Sequence, residues 1–339
     1  MAQPSPAVGG PSGPAQLTPL TERILSRLPG PRFAWIGAWA LVPWLNLAVV
    51  EALAAGDQGG AGVTLREGLN RAAVTVAIVL ALWGGTRIIA DLRRLPPALA
   101  PVVEQDEPQV AGLFRGIDST LIPVLLTAAS MVVLPIEKIV AGDVTAALIQ
   151  ALTWLVIGIP LWTAVWIYLS VQVGLGRLGR GQLTLQAYQG DRSLGLLPVG
   201  RLAFTAFWIL LGVVGPLVLT NASNIPAAVV GMVVLVAGVA LFFWSLRRLH
   251  RQMVAVRERE LEMARGLYMQ TYQQVRDQPT LEVLGRQASL LKAAEELERR
   301  AERILVWPFD EVTFARVVAI ASSVTAGIIA RLLLEPVGL

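Results

Sequence analysis

The sequence predicts an all-α protein: a polytopic helical membrane bundle of about seven spans that carries a cytoplasmic helical hairpin. Three observations predict it. Of the 339 residues, 55% are hydrophobic and 15% charged, against roughly 45 to 50% and 25% in a soluble domain. The apolar residues gather in runs close to the ~20 residues that a helix needs to cross ~30 Å of hydrocarbon. One long segment, Arg247 to Val306, is instead rich in charge yet keeps helical periodicity.

The apolar runs fall at 33–54, 72–90, 119–136, 144–171, 202–220, 226–246 and 314–334. Pro123 and Pro135 interrupt the third, and Glu137 and Lys138 follow at once. A re-entrant segment is the alternative there, leaving six spans. The first run starts at Phe33 and lasts a full span, so it reads as a retained helix rather than as the short apolar core of a signal peptide. Residues 1–32 then form a Pro/Gly-rich, disordered cytoplasmic tail. A six-span bundle occupies 33–246, the hairpin 247–306, and the final span with a short external C-terminus 307–339.

Orientation follows from the tendency of Lys and Arg to collect in cytoplasmic loops. With the N-terminus inside, the inner segments carry Arg23, Arg27, Arg32, Arg87, Arg93, Arg94, Arg115, Arg177, Arg180, Arg192 and Arg201. The hairpin side adds more, which are discounted because the rule weakens over long segments. Outside stand Arg66, Arg71, Lys138 and Arg331. The N-terminus and hairpin are thus expected in the cytoplasm and the C-terminus outside a plasma membrane. Basic residues beside spans suit a lipid bilayer with anionic headgroups at the cytoplasmic face. A nucleic-acid surface would gather them on one soluble face, so nucleic acid is not an expected partner.

In the charged segment, Leu246, Leu249, Met253, Val256, Met263 and Leu267 follow a three-four spacing with a polar interruption at Glu260. This predicts a first arm that continues the sixth span. Asp277, Gln278, Pro279 and Thr280 break it, since proline disfavours a helical residue before it. A second arm follows, with Leu290, Ala294, Leu297, Ala301 and Ile304 on one stripe and Glu282/Arg286, Glu295/Arg299 and Glu296/Arg300 paired at i,i+4. Pro308 ends this arm at Trp307, and the last span restarts with Asp310 at the N-cap and Phe309 and Phe314 as a hydrophobic staple. The joint Trp307-Pro308-Phe309-Asp310 is expected to be a sharp architectural elbow at the inner interface.

Several chemistries lack their parts. There are no cysteines, which excludes disulfides, thiolate metal sites and cysteine nucleophiles. His250 is the only histidine; beside Arg247, Arg248 and Arg251 it reads as part of a basic collar. Gly174, Gly176 and Gly179 match the dinucleotide fingerprint GxGxxG, but they follow a membrane helix and not a strand. Glu104, Asp106 and Glu107 read as a solvated acidic turn, and Asn221-Ala222-Ser223 lies too close to the bilayer to serve as a glycosylation site. No carboxylate sits mid-span, which disfavours a proton-coupled transporter. No catalytic, cofactor-binding or metal-binding residues are expected. Small-residue stripes at Ala73, Ala77, Ala81 and Gly85, and at Ala315, Ala319, Ser323 and Gly327, are expected to pack helices within the chain.

Residues 191–200 (DRSLGLLPVG), the run RRLHRQMVAVRERELE beginning at Arg247, and VWPFD from Val306 together resemble a family of uncharacterised prokaryotic multi-span membrane proteins. The resemblance covers roughly 185–335 and implies the topology and a prokaryotic source; it assigns no activity. The functional expectation is a non-enzymatic scaffold, assembly or regulatory component whose hairpin joins a homo-oligomer or a cytosolic protein partner. The alternative is a passive channel or uncoupled transporter, with a pathway beside Gly158 and Pro160, where a helix break frees backbone carbonyls.

Overall fold

The computed structural model describes residues 17–55, 64–103, 107–181, 183, 185, 192–220, 225–277 and 281–309, with scattered positions between 312 and 326. The chain is all-α, because a segment in hydrocarbon must satisfy its own N–H and C=O groups and a helix does so locally. The helices are α1 (Leu20–Arg27), α2 (Arg32–Ala55), α3 (Leu65–Leu99), α4 (Glu107–Gly112), α5 (Leu121–Val133), α6 (Ile136–Val140), α7 (Val144–Leu178), α8 (Leu197–Thr220), α9 (Ile225–Asp277) and α10 (Leu281–Glu302). Among the described residues six segments are long and apolar enough to cross a membrane, with 121–140 as one of them. Leu121, Leu125, Val132, Leu148 and Leu152 are exposed along these segments, as side chains that face lipid should be. The predicted span 314–334 lies largely outside the described residues, as do Asp310 and Phe314 of the predicted cap and staple.

The third run is long and apolar enough to cross a membrane. Pro123 falls in the first turn of α5, where a proline removes no intrahelical hydrogen bond, so it starts the helix rather than interrupting it. Pro135 ends α5 and caps α6. Together they climb about 30 Å at ~1.5 Å per residue, antiparallel to α7. The Asp143 carboxylate then caps α7 by accepting from the Ala146 N–H at 2.9 Å.

Of the expected disordered tail, residues 17–32 are ordered, and residues 1–16 lie outside the described residues. Leu17 and Leu25 are buried in the main core. The Thr18 N–H donates to Asp118 Oδ1 at 2.7 Å, and Arg23 donates to the Asp118 carbonyl at 3.0 Å. Composition understated this segment because its partners lie about a hundred residues away. These contacts also place the start of the described chain at the same end of the bundle as the loops 100–120 and 179–196. Gln252 of α9 donates to the Gly179 and Gly181 carbonyls there.

Close approach organises the centre of the bundle. Gly84 of α3 lies under Ile209 of α8, and Gly212 of α8 lies under Leu80 of α3. Ala77 and Ala81 are buried, so the first small-residue stripe packs within the chain. The second does not, where it is described: Ala315, Ala319 and Ser323 are exposed. Gly174 receives the Phe114 ring and Gly179 faces Arg248 and Leu249. The dinucleotide-like glycines therefore belong to α7 and its end, where two of the three serve helix packing.

Pro160 cannot donate to the Val156 carbonyl one turn earlier. That carbonyl instead accepts from Trp39 Nε1 of α2 at 2.8 Å, and Gly158 is covered by Thr127. The expected break is not there, since α7 runs without interruption through Gly158 and Pro160, and the Val156 carbonyl is not free for a permeating solute.

Replacing Gly84 with valine is expected to lower stability by about 1–3 kcal/mol through overpacking. Thermal unfolding in detergent should show part of that loss recovered when Ile209→Ala is combined with Gly84→Val.

Candidate functional site: the root of the hairpin

α9 is a single 53-residue helix, about 80 Å long at ~1.5 Å per residue. Its apolar first part packs in the bundle. From Arg247 it continues past the bundle for about 45 Å, and α10 returns along it. Ala264 and Thr271 of α9 and Ala294 and Ala301 of α10 are buried. The Arg265 guanidinium meets Glu298 at 2.9 Å, and Arg257 donates to the Glu302 carbonyl at 3.2 Å. Glu296 pairs with Arg300 at 3.1 Å as expected and has Arg299 at 3.8 Å. Glu282 and Arg286 lie where side chains are not described.

Two expectations about the hairpin need correction. Met263, Leu290 and Leu297, read as seam residues, are 61%, 43% and 42% exposed. Of that reading Ala294 and Ala301 are buried, joined by Ala264 and Thr271, and small side chains at these positions let the helices come close while the larger ones turn outward. The second arm also ends at Glu302 rather than at Trp307. The Leu305 N–H does not continue the helix toward Ala301 but donates to the Arg192 carbonyl at 2.8 Å.

This bond begins the hairpin's root, where the turn before α8, the part of α9 around His250 and the joint from Val306 meet. Residues 192–196 form a tight turn in which Leu194 and Gly195 both have positive φ, 54° and 81°. Gly195 needs that freedom and lies against Val102. Leu194 pays a conformational cost there and is held by burial at 3% exposure. One turn into α8, Gly200 lies directly beneath the Pro308 carbonyl, and a Cβ at 200 would overlap it.

The elbow is also held by stacked rings. Trp307 stacks on His250 at 4.2 Å between centroids and on Phe309 at 5.7 Å. Phe309 stacks on Phe242 at 5.9 Å, which contacts Phe207 of α8 at 5.1 Å. Pairs of this kind contribute about 0.5–1.5 kcal/mol beyond their burial. His250 Nδ1 lies 2.7 Å from the Val306 carbonyl. A carbonyl only accepts, so Nδ1 carries the proton. His250 is thus a fastener of the elbow as well as a member of the basic collar.

Deeper in the bundle, Gln172 is 1% exposed, and the Ser245 hydroxyl lies between its side chain and the Phe242 carbonyl. Gln172 Nε2 has no hydrogen-bond partner among the described residues. Among the described residues no three His, Cys, Asp or Glu side chains are grouped so as to hold a metal ion.

The expectation of an elbow at Trp307-Pro308 identified one wall of the root. It missed Arg192, Gly195 and Gly200. A glycine in the first turn of a span, preceded by a Leu-Gly turn, was the available signal, but nothing local names Pro308 as its partner. No family model, curated protein or solved structure matches the chain.

Gly200→Ala is expected to destabilise the protein by about 1–3 kcal/mol, because the opposing atoms are backbone and cannot rotate away. Gly215→Ala, on the same helix with open space around it, should be neutral or slightly stabilising. Thermal unfolding of the two variants in one detergent checks the contrast.

Proposed function

We propose that this chain is a non-catalytic component of a prokaryotic cell membrane that scaffolds or regulates an assembly through its hairpin. The N-terminus and hairpin lie in the cytoplasm in this reading, and the charge asymmetry of the loops supports that orientation.

The observation that carries the proposal is the exposure of large apolar side chains on an otherwise charged arm. Met263, Met269, Tyr272, Leu290 and Leu297 all project from the hairpin. Leu290 and Leu297, seven residues apart, lie on one side of α10. The fully buried positions Ala264, Thr271, Ala294 and Ala301 of the two arms are small, and these larger side chains are left for another surface. A second hairpin of the same kind or a cytosolic protein with an apolar groove fits them. A rigid root suits this role, because an arm anchored by Gly200, Arg192 and the ring stack presents its surface at a fixed angle to the membrane.

The test is the triple variant Met263→Glu, Leu290→Glu and Leu297→Glu. All three positions are exposed, so helix content and melting temperature should be preserved. The mass of the complex in detergent should fall to that of one chain, or a co-purifying protein should be lost. If both the mass and the co-purifying proteins are unchanged, the hairpin does not mediate assembly.

A further inference from the structure

Where α9 leaves the bundle, its outer face and the elbow enclose an open pocket of about 550 Å³ lined by Ala240, Phe243, Trp244, Arg247, His250, Trp307 and Val318. Its surface is almost wholly apolar, and none of these residues is acidic. The pocket lies outside the bundle core: Trp244 is 71% exposed. It is also separate from the apolar surface of the hairpin arm.

The register of α9 gives the pocket a direction. Ala240, Trp244, Arg247 and Arg251 recur at three- and four-residue steps and so share one stripe. The stripe is apolar and aromatic below Arg247 and basic from Arg247 upward. Arg247 lies over the Trp244 ring, 5.9 Å from its centroid, which fixes the guanidinium at the rim while leaving its donors open to solvent. Arg248 and Arg251 are exposed beside it. The elbow supplies the opposite wall through Trp307, whose ring stacks on His250.

We propose that this pocket binds one anionic phospholipid, its acyl chain against Ala240, Phe243, Trp244, Trp307 and Val318 and its phosphate on Arg247 and Arg251. The occupant follows from complementarity at both ends. An apolar wall at membrane depth takes a hydrocarbon chain, and a basic rim at the point where the helix emerges takes a headgroup phosphate. A zwitterionic lipid would bring a second, positive group against the same arginines. A free phosphate would leave the apolar wall unused. Because Trp307 belongs to both the pocket and the elbow, the bound lipid would also brace the root.

The experiment is native mass spectrometry of the full chain released from micelles. Phosphatidylglycerol, phosphatidylcholine of the same acyl chains, or inorganic phosphate is supplied in parallel. The wild-type chain should retain phosphatidylglycerol in preference to phosphatidylcholine, and inorganic phosphate should not displace it. Arg247→Gln should weaken phosphatidylglycerol retention by roughly fivefold, the loss of one basic contact near a membrane surface. Arg259→Gln removes the same charge from the exposed arm and should leave retention unchanged. Ala240→Phe fills the pocket with the charges intact and should also reduce retention. Equal retention of both lipids, equal effects of Arg247→Gln and Arg259→Gln, displacement by inorganic phosphate, or full retention by Ala240→Phe would each overturn the proposal. The hairpin triple variant should bind lipid normally, so failure of the assembly reading and failure of this one are distinguishable.

Discussion

A backbone that leaves a helix where water is scarce must find another partner for each group it frees, and this constraint organises the molecule. Pro160 frees the Val156 carbonyl, and the Trp39 indole takes it. The chain leaves α10 after Glu302, and the Leu305 N–H passes to the Arg192 carbonyl. In both places a missing intrahelical bond, within the continuous α7 and after the end of α10, is replaced by a bond between distant segments. The first ties α2 to α7. The second ties the returning arm of the hairpin to the turn that opens α8. Missing bonds that would read as weak points in isolation are the places where the fold is cross-connected.

Close approach makes those exchanges reachable. Gly200 lets the Pro308 carbonyl rest on α8, Gly84 and Gly212 let α3 and α8 interlock, and Gly174 takes the Phe114 ring into α7. In lipid, where apolar side chains gain little by leaving one hydrocarbon surface for another, such packing is the main force between helices. The hairpin follows the same rule outside the bundle, with Ala264, Ala294 and Ala301 at its contact. Its larger side chains are turned outward as a consequence, and the proposed assembly role grows from that arrangement.

The positions of the first six spans and the break between Asp277 and Leu281 were legible in the sequence, because hydrophobic run length and proline act locally. The hairpin seam was legible only in part. Spacing picked out Leu249, Met253, Ala294, Ala301 and Ile304, which are buried, but it also took in the exposed Met263, Leu290 and Leu297 and passed over Ala264 and Thr271. Periodicity reports which side chains are apolar, not how closely two backbones approach. The order that begins at Leu17 was illegible for another reason: Pro- and Gly-rich composition masks anchoring by Asp118, far along the chain. The root was the least legible, since its essential atoms are the carbonyls of Arg192 and Pro308, and backbone atoms leave no mark on residue identity.

The segment between α10 and the elbow is held by the bundle rather than hanging from the hairpin. Hydrogen-exchange mass spectrometry with fragmentation to single amides tests it at Leu305. That amide should exchange as slowly as those inside α8, although it belongs to no helix. Exchange at the rate of an unstructured peptide, with α8 still protected, would contradict the account.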